Sequence, residues 1–100
     1  MEKRIAHYDL ATIKVEFASV ATLRLTHSAL VGARAVGIDR AGIVAVIQSI
    51  RSSHFYKSMT SHNDQNIWQD VYHVPAAKTV LYVKFTVNHE GKLLISFKRK

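Results

Sequence analysis

The chain has 100 residues, 48% of them apolar, which is enough for the core of one small domain. It has no cysteine, no apolar signal core in "MEKRIAHYDL" and no stretch near the roughly 20 apolar residues of a membrane helix, so disulfide scaffolds, thiolate metal sites and membrane spans are excluded and a cytoplasmic protein is expected. The formal charge is +7, with eight lysines and arginines against three carboxylates in residues 51–100 and six against four in residues 1–50, and a small basic domain of this kind attracts polyanions, nucleic acid first.

The apolar spacing is helical before Ser52 and alternates after it. Asp9 is placed to cap a first helix that uses Leu10, Ile13, Phe17 and Val20. "TLRL" (Thr22–Leu25) is a short extended piece. Thr26 caps a second helix, with Ala29, Leu30 and Ala33 inward and Gly37 as its left-handed stop. Asp39 caps a third, "RAGIVAVIQSI", whose buried stripe is Ile43, Val46, Ile47 and Ile50. Candidate strands follow at His54–Thr60, Ile67–His73, Thr79–Val87 and Leu93–Lys98. "SHNDQN" reads as a hairpin loop, "VPAAK" as a turn and "NHEG" as a tight turn with Gly91 free to take positive φ. The pattern predicts one α+β domain over residues 1–100, with a helical part at about 8–51 packed on one face of an antiparallel sheet formed by about 54–99.

Side chains alternate faces along a strand. Leu81, Val83, Phe85 and Val87 share one apolar face, as do Leu93, Ile95 and Phe97, and the helices should cover it. Tyr82, Lys84 and Lys98 then lie on the open face. In the first strand Phe55, Lys57 and Met59 share a face, which the cost of burying Lys57 makes the open one. Alternation leaves Gln69 undecided, because Ile67, Gln69 and Val71 oppose Trp68, Asp70 and Tyr72. An open face with Lys57, Tyr82, Lys98 and Gln69 offers ammoniums, a phenol and an amide. That set suits a phosphodiester, whose developing charge the cations stabilise. Met59 and Phe55 can pack on a base.

The segments "FYKSMT", "IWQDVY", "LYVKFTV" and "ISFK", with "MEKR" and "HSAL" before them in order, resemble the MqsR family of bacterial toxins, which are RelE-like mRNA interferases. The resemblance covers nearly the whole chain. It implies a RelE-like sandwich and an endoribonuclease that cuts free mRNA without the ribosome at short GC-containing sites such as GCU. It assigns catalysis to Lys57, Gln69 and Tyr82 and RNA contact to Met59 and Lys98. Lys84, on Tyr82's face, and His73, after the Gln69 strand, are added as RNA contacts. It places Gln69, rather than Asp70, on the face of Lys57 and Tyr82. The implied partner is an MqsA-type antitoxin with a zinc-binding domain and a DNA-binding helix-turn-helix, the zinc belonging to that partner. No cofactor is expected in this chain.

The implied chemistry is attack of the ribose 2′-OH on the adjacent phosphorus, leaving a 2′,3′-cyclic phosphate and a 5′-OH. Lys57 and Lys98 would hold the phosphate, and Lys57 or Tyr82 would move a proton. The six histidines contain no HExxH and no i,i+4 helical pair, so a metal site is not expected. Ser28 and Ser96 lack a nucleophile elbow. The rival reading is a basic RNA- or DNA-binding module without catalysis; aromatic pairs of the RRM kind are not evident.

Overall fold

The structure is a computed structural model that describes residues 1–76, 79–88 and 90–99, with the backbone alone at Arg99. Three helices are capped as the sequence predicts. In α1 (Leu10–Glu16) the Asp9 carboxylate accepts from the Thr12 amide, in α2 (His27–Ala35) Thr26 Oγ1 accepts from Ala29, and in α3 (Arg40–Ser49) Asp39 accepts from Gly42. α1 stops at Glu16, before Val20, which falls in a short 3₁₀ turn over Val20–Thr22 and is exposed, so it is not part of the helix's buried stripe. Gly37 takes φ 75° after α2.

Five antiparallel strands form one sheet in chain order: β1 (Glu2–Lys3), β2 (Phe55–Thr60), β3 (Trp68–Ala76), β4 (Thr79–Val87) and β5 (Leu93–Arg99). Beyond β5, Leu25 touches the sheet through a bridge to Ile95, while Thr22, expected in the extended "TLRL" piece, belongs to the 3₁₀ turn. β1 precedes the helices, so the sheet is not confined to the second half as the spacing predicts. His54 belongs to a 3₁₀ turn and Ile67 to the loop before β3. Pro75 lies inside β3 opposite Val80, not in a turn; β2 ends opposite Tyr72, so at Pro75 a missing N–H leaves no second strand unpaired. The rest of the predicted "VPAAK" turn, Ala77 and Lys78, lies outside the described residues, as do His89 and the last lysine of the "KRK" tail.

The core lies between the helices and one face of the sheet. Ile13, Phe17, Ala29, Ala33, Ile43 and Ile47 meet Tyr72, Val74, Leu81, Val83, Phe85 and Ile95 there, all essentially inaccessible to solvent. Gly32 is the point of closest approach. A Cβ there would lie 2.7 Å from the Phe97 carbonyl oxygen, so only glycine lets α2 lie this near β5. Burial of this apolar surface is the main favourable term in the fold. The helices cover one face of the sheet and leave the other open.

Candidate active site

The pleat decides which side chains share the open face, and one irregularity resets it. The β2–β3 register slips between Phe55 and Lys57: Phe55 pairs with Tyr72, and Lys57 pairs with Val71. The extra residue, Tyr56, is a bulge, which re-aims the side chains on either side of it. Phe55 therefore turns into the core, its ring 5.4 Å from that of Tyr72, while Lys57 and Met59 stay on the open face. The expectation that Phe55 shares a face with Lys57 and packs on a base is corrected on this ground.

Residues directly opposite in antiparallel strands share a face. Asp70 lies opposite Ser58 and Phe85 and is fully buried, so it belongs to the covered side. Gln69, opposite Met59, is on the open side. Burial of Asp70 is compensated by two backbone donors: its Oδ1 accepts from the His7 amide at 3.1 Å and its Oδ2 from Tyr8 at 2.8 Å. The Tyr8 hydroxyl donates to the Trp68 carbonyl at 2.7 Å. Together these bonds tie the segment after β1 to β3.

The open face is built in cross-strand rows. One row runs Glu2, Met59, Gln69; the next runs Lys57, Val71, Lys84, Ser96; the third runs His73, Tyr82, Lys98. Val71 is only 4% exposed, although it lies on the face the helices leave open. It sits between Lys57 and Lys84, whose aliphatic stems can cover it while their ammoniums reach outward. Tyr56, Lys57, Met59, Val71, Tyr82, Lys84 and Lys98 line a cleft of about 310 Å³. Three lysines and two tyrosines thus share one concavity. Gln69 stands beside Met59 but does not line the cleft. His73 stands behind it, stacked between Tyr56 (centroids 4.3 Å apart) and Tyr82 (4.6 Å).

Two participants carry no sequence signal. Glu2 reaches from β1 to Lys57, with Oε1 and Oε2 at 3.2 and 3.3 Å from Nζ. Tyr56 packs on His73, and the Lys57 ammonium lies 5.2 Å from its ring centre. Pairing of β1 with β2 across most of the chain is what brings Glu2 here, and no local pattern announces it.

Burial, and then the Asp70 and Asp9 carboxylates, push the Tyr72 phenol up to about 12. Burial also raises Tyr8. At the start of α1, hydrogen bonds from the Thr12 hydroxyl and amide lower Asp9. Among the described residues no three His, Asp or Glu come together as a metal-ligand set, and no helix is long and apolar enough to cross a membrane.

Comparison with known proteins finds similarity along nearly the whole chain. The family described as "Motility quorum-sensing regulator, toxin of MqsA" matches residues 5–99. The mRNA interferase toxin MqsR of Escherichia coli (strain K12) is 42% identical over 100 residues, covering 100% of both chains.

Proposed function

Because the chain belongs to the MqsR toxin family, we propose that it is an mRNA interferase, an endoribonuclease that cuts free mRNA at short GC-containing sites of the GCU kind and is neutralised by an MqsA-type, zinc- and DNA-binding antitoxin. The observation that carries the reading is the cleft in which Lys57, Tyr82, Lys84 and Lys98 converge on the open sheet face. Such a set is suited to a phosphodiester, whose charge the cations meet.

The reaction needs no metal. The 2′-oxygen bonds to phosphorus as the P–O5′ bond breaks; one proton leaves the 2′-OH and another reaches O5′. Lys98 and Lys57 neutralise the phosphoryl oxygens, where charge grows in the transition state. Lys57, ion-paired with Glu2, enters as an ammonium and can donate to O5′. Tyr82, with Lys84 two residues along its own strand and Lys98 opposite, takes the 2′ proton. Gln69, beside Met59 and outside the cleft, steadies a base edge, and His73 backs Tyr82.

The test is incubation with GCU-containing RNA in EDTA. Cleavage with a 2′,3′-cyclic phosphate end is expected. Cleavage of RNA with 2′-deoxy or 2′-methoxy at the scissile ribose overturns the mechanism, and RNA that is retarded but intact favours a binding module instead.

A further inference from the structure

Lys84 and Lys98 do not only line the cleft just described. They also line a second, larger one of about 670 Å³ on their far side, between β5 and α2, together with His27, Ser28, Gly32 and Ser96. The two lysines therefore form a ridge shared by both clefts. Lys84 lies opposite Ser96 and Lys98 opposite Tyr82, so the lysines are diagonal neighbours across β4 and β5, about 7–8 Å apart at the backbone. That spacing is close to the step from one phosphate to the next along a single strand. Among the described residues lining either cleft there is no carboxylate. The walls of the second cleft are small or apolar on the helix side, with Val31 and Ala35 beside Gly32 and Ser28. It can therefore take a base as well as a charge.

We propose that the cleft between α2 and β5 is a second subsite, which holds the nucleotide next to the scissile phosphate as the RNA crosses the ridge of Lys84 and Lys98. This rests on the reading of the first cleft as the cutting site and gives that site a direction of approach. The lysines face one phosphate on each side of the ridge, and His27 and Ser28 border the outer one.

Ser28→Glu tests it by placing a carboxylate in the second cleft. Ser28 is exposed and in the first turn of α2, where an acidic side chain favours the helix, so loss of binding would not reflect loss of fold. Ala41→Glu, exposed in the first turn of α3 and outside both clefts, is the charge control. The probe is a short oligoribonucleotide containing GCU, with 2′-methoxy at the scissile ribose, followed by fluorescence anisotropy. Ser28→Glu should weaken binding on the order of tenfold, and Ala41→Glu by less than about twofold. Methylphosphonates are then introduced one linkage at a time. Neutralising the single linkage that occupies the subsite should abolish the Ser28→Glu penalty, and neutralising any other should leave it. An unchanged affinity for Ser28→Glu, or the same penalty whichever linkage is neutral, overturns the subsite. Failure of the wild type to cut the unmodified oligonucleotide overturns the cutting site itself, and the subsite with it.

Discussion

Glu2 and Lys57 are 55 positions apart in the chain, yet both carboxylate oxygens of Glu2 lie within 3.3 Å of the Lys57 ammonium. The pair sits at the rim, with Glu2 half exposed, so it adds little to stability, about 0.2–1 kcal/mol at most. Its use is to hold one long side chain in place. Glu2→Gln should leave the melting temperature nearly unchanged and lower kcat on the order of tenfold. KM should not rise, because a carboxylate near the RNA has been removed. A rise in KM with kcat intact would mean that Glu2 does not position Lys57. Glu2→Asp, which keeps the charge, should recover part of the rate.

Lys57→Ala and Tyr82→Phe should each slow cleavage on the order of 10²-fold or more, as loss of a charge-stabilising or proton-moving group does. Phenylalanine keeps the ring that stacks on His73, so the Tyr82 variant should show wild-type circular dichroism and unfolding. If both variants stay fully active, the cutting site lies elsewhere.

Asp70 predicts stability rather than rate. Asp70→Ala takes the acceptor from the part-buried amides of His7 and Tyr8, at up to about 1–3 kcal/mol for each unmet donor. Urea unfolding should show a loss of about 2 kcal/mol. Asp70→Asn should lose less, since its one carbonyl oxygen still serves one amide. A midpoint unchanged in both variants would contradict the tie between β3 and the N-terminal segment.

The Tyr72 phenol predicts how the protein fails in alkali. Its folded pKa, pushed up to about 12, exceeds the ordinary value of 10.0, so the folded state keeps the proton longer than the unfolded chain does. The stabilisation is complete below pH 10 and is lost as pH rises through 12. Unfolding monitored between these values should be steeper in the wild type than in Tyr72→Phe. Asp9 acts at the other end: its lowered pKa contributes stability above the ordinary carboxylate range, and that stability fades as pH falls through the folded value.

Features set by neighbours in the chain were readable from the sequence. Thr26 and Asp39 cap their helices through amides three residues on, and Gly37 and Gly91 take the positive φ their turns require. The faces of β4 and β5 follow from strict alternation. Three features resisted such reading for physical reasons. The bulge at Tyr56 belongs to no period, and it reverses the side on which Phe55 lies. A two-residue strand carries no pattern, so β1 and the Glu2 carboxylate were invisible. Gln69 and Asp70 were equivalent by alternation, because the amides that satisfy a buried Asp70 come from residues 7 and 8. There the family resemblance implied the side that the register shows.

The strand order has a kinetic consequence. β2 to β5 form a meander in which each strand pairs with the next across a short connection, whereas β1 must return to β2 past all three helices. Loop closure costs more entropy for that last pairing, and pairings between distant segments are the slow ones. The strands bearing Lys57, Tyr82, Lys84 and Lys98 can thus assemble from local pairings, while the carboxylate that steadies Lys57 arrives with the one long-range strand. A refolding chain should regain its sheet signal before its cleavage activity, and the interval between the two would time the docking of β1.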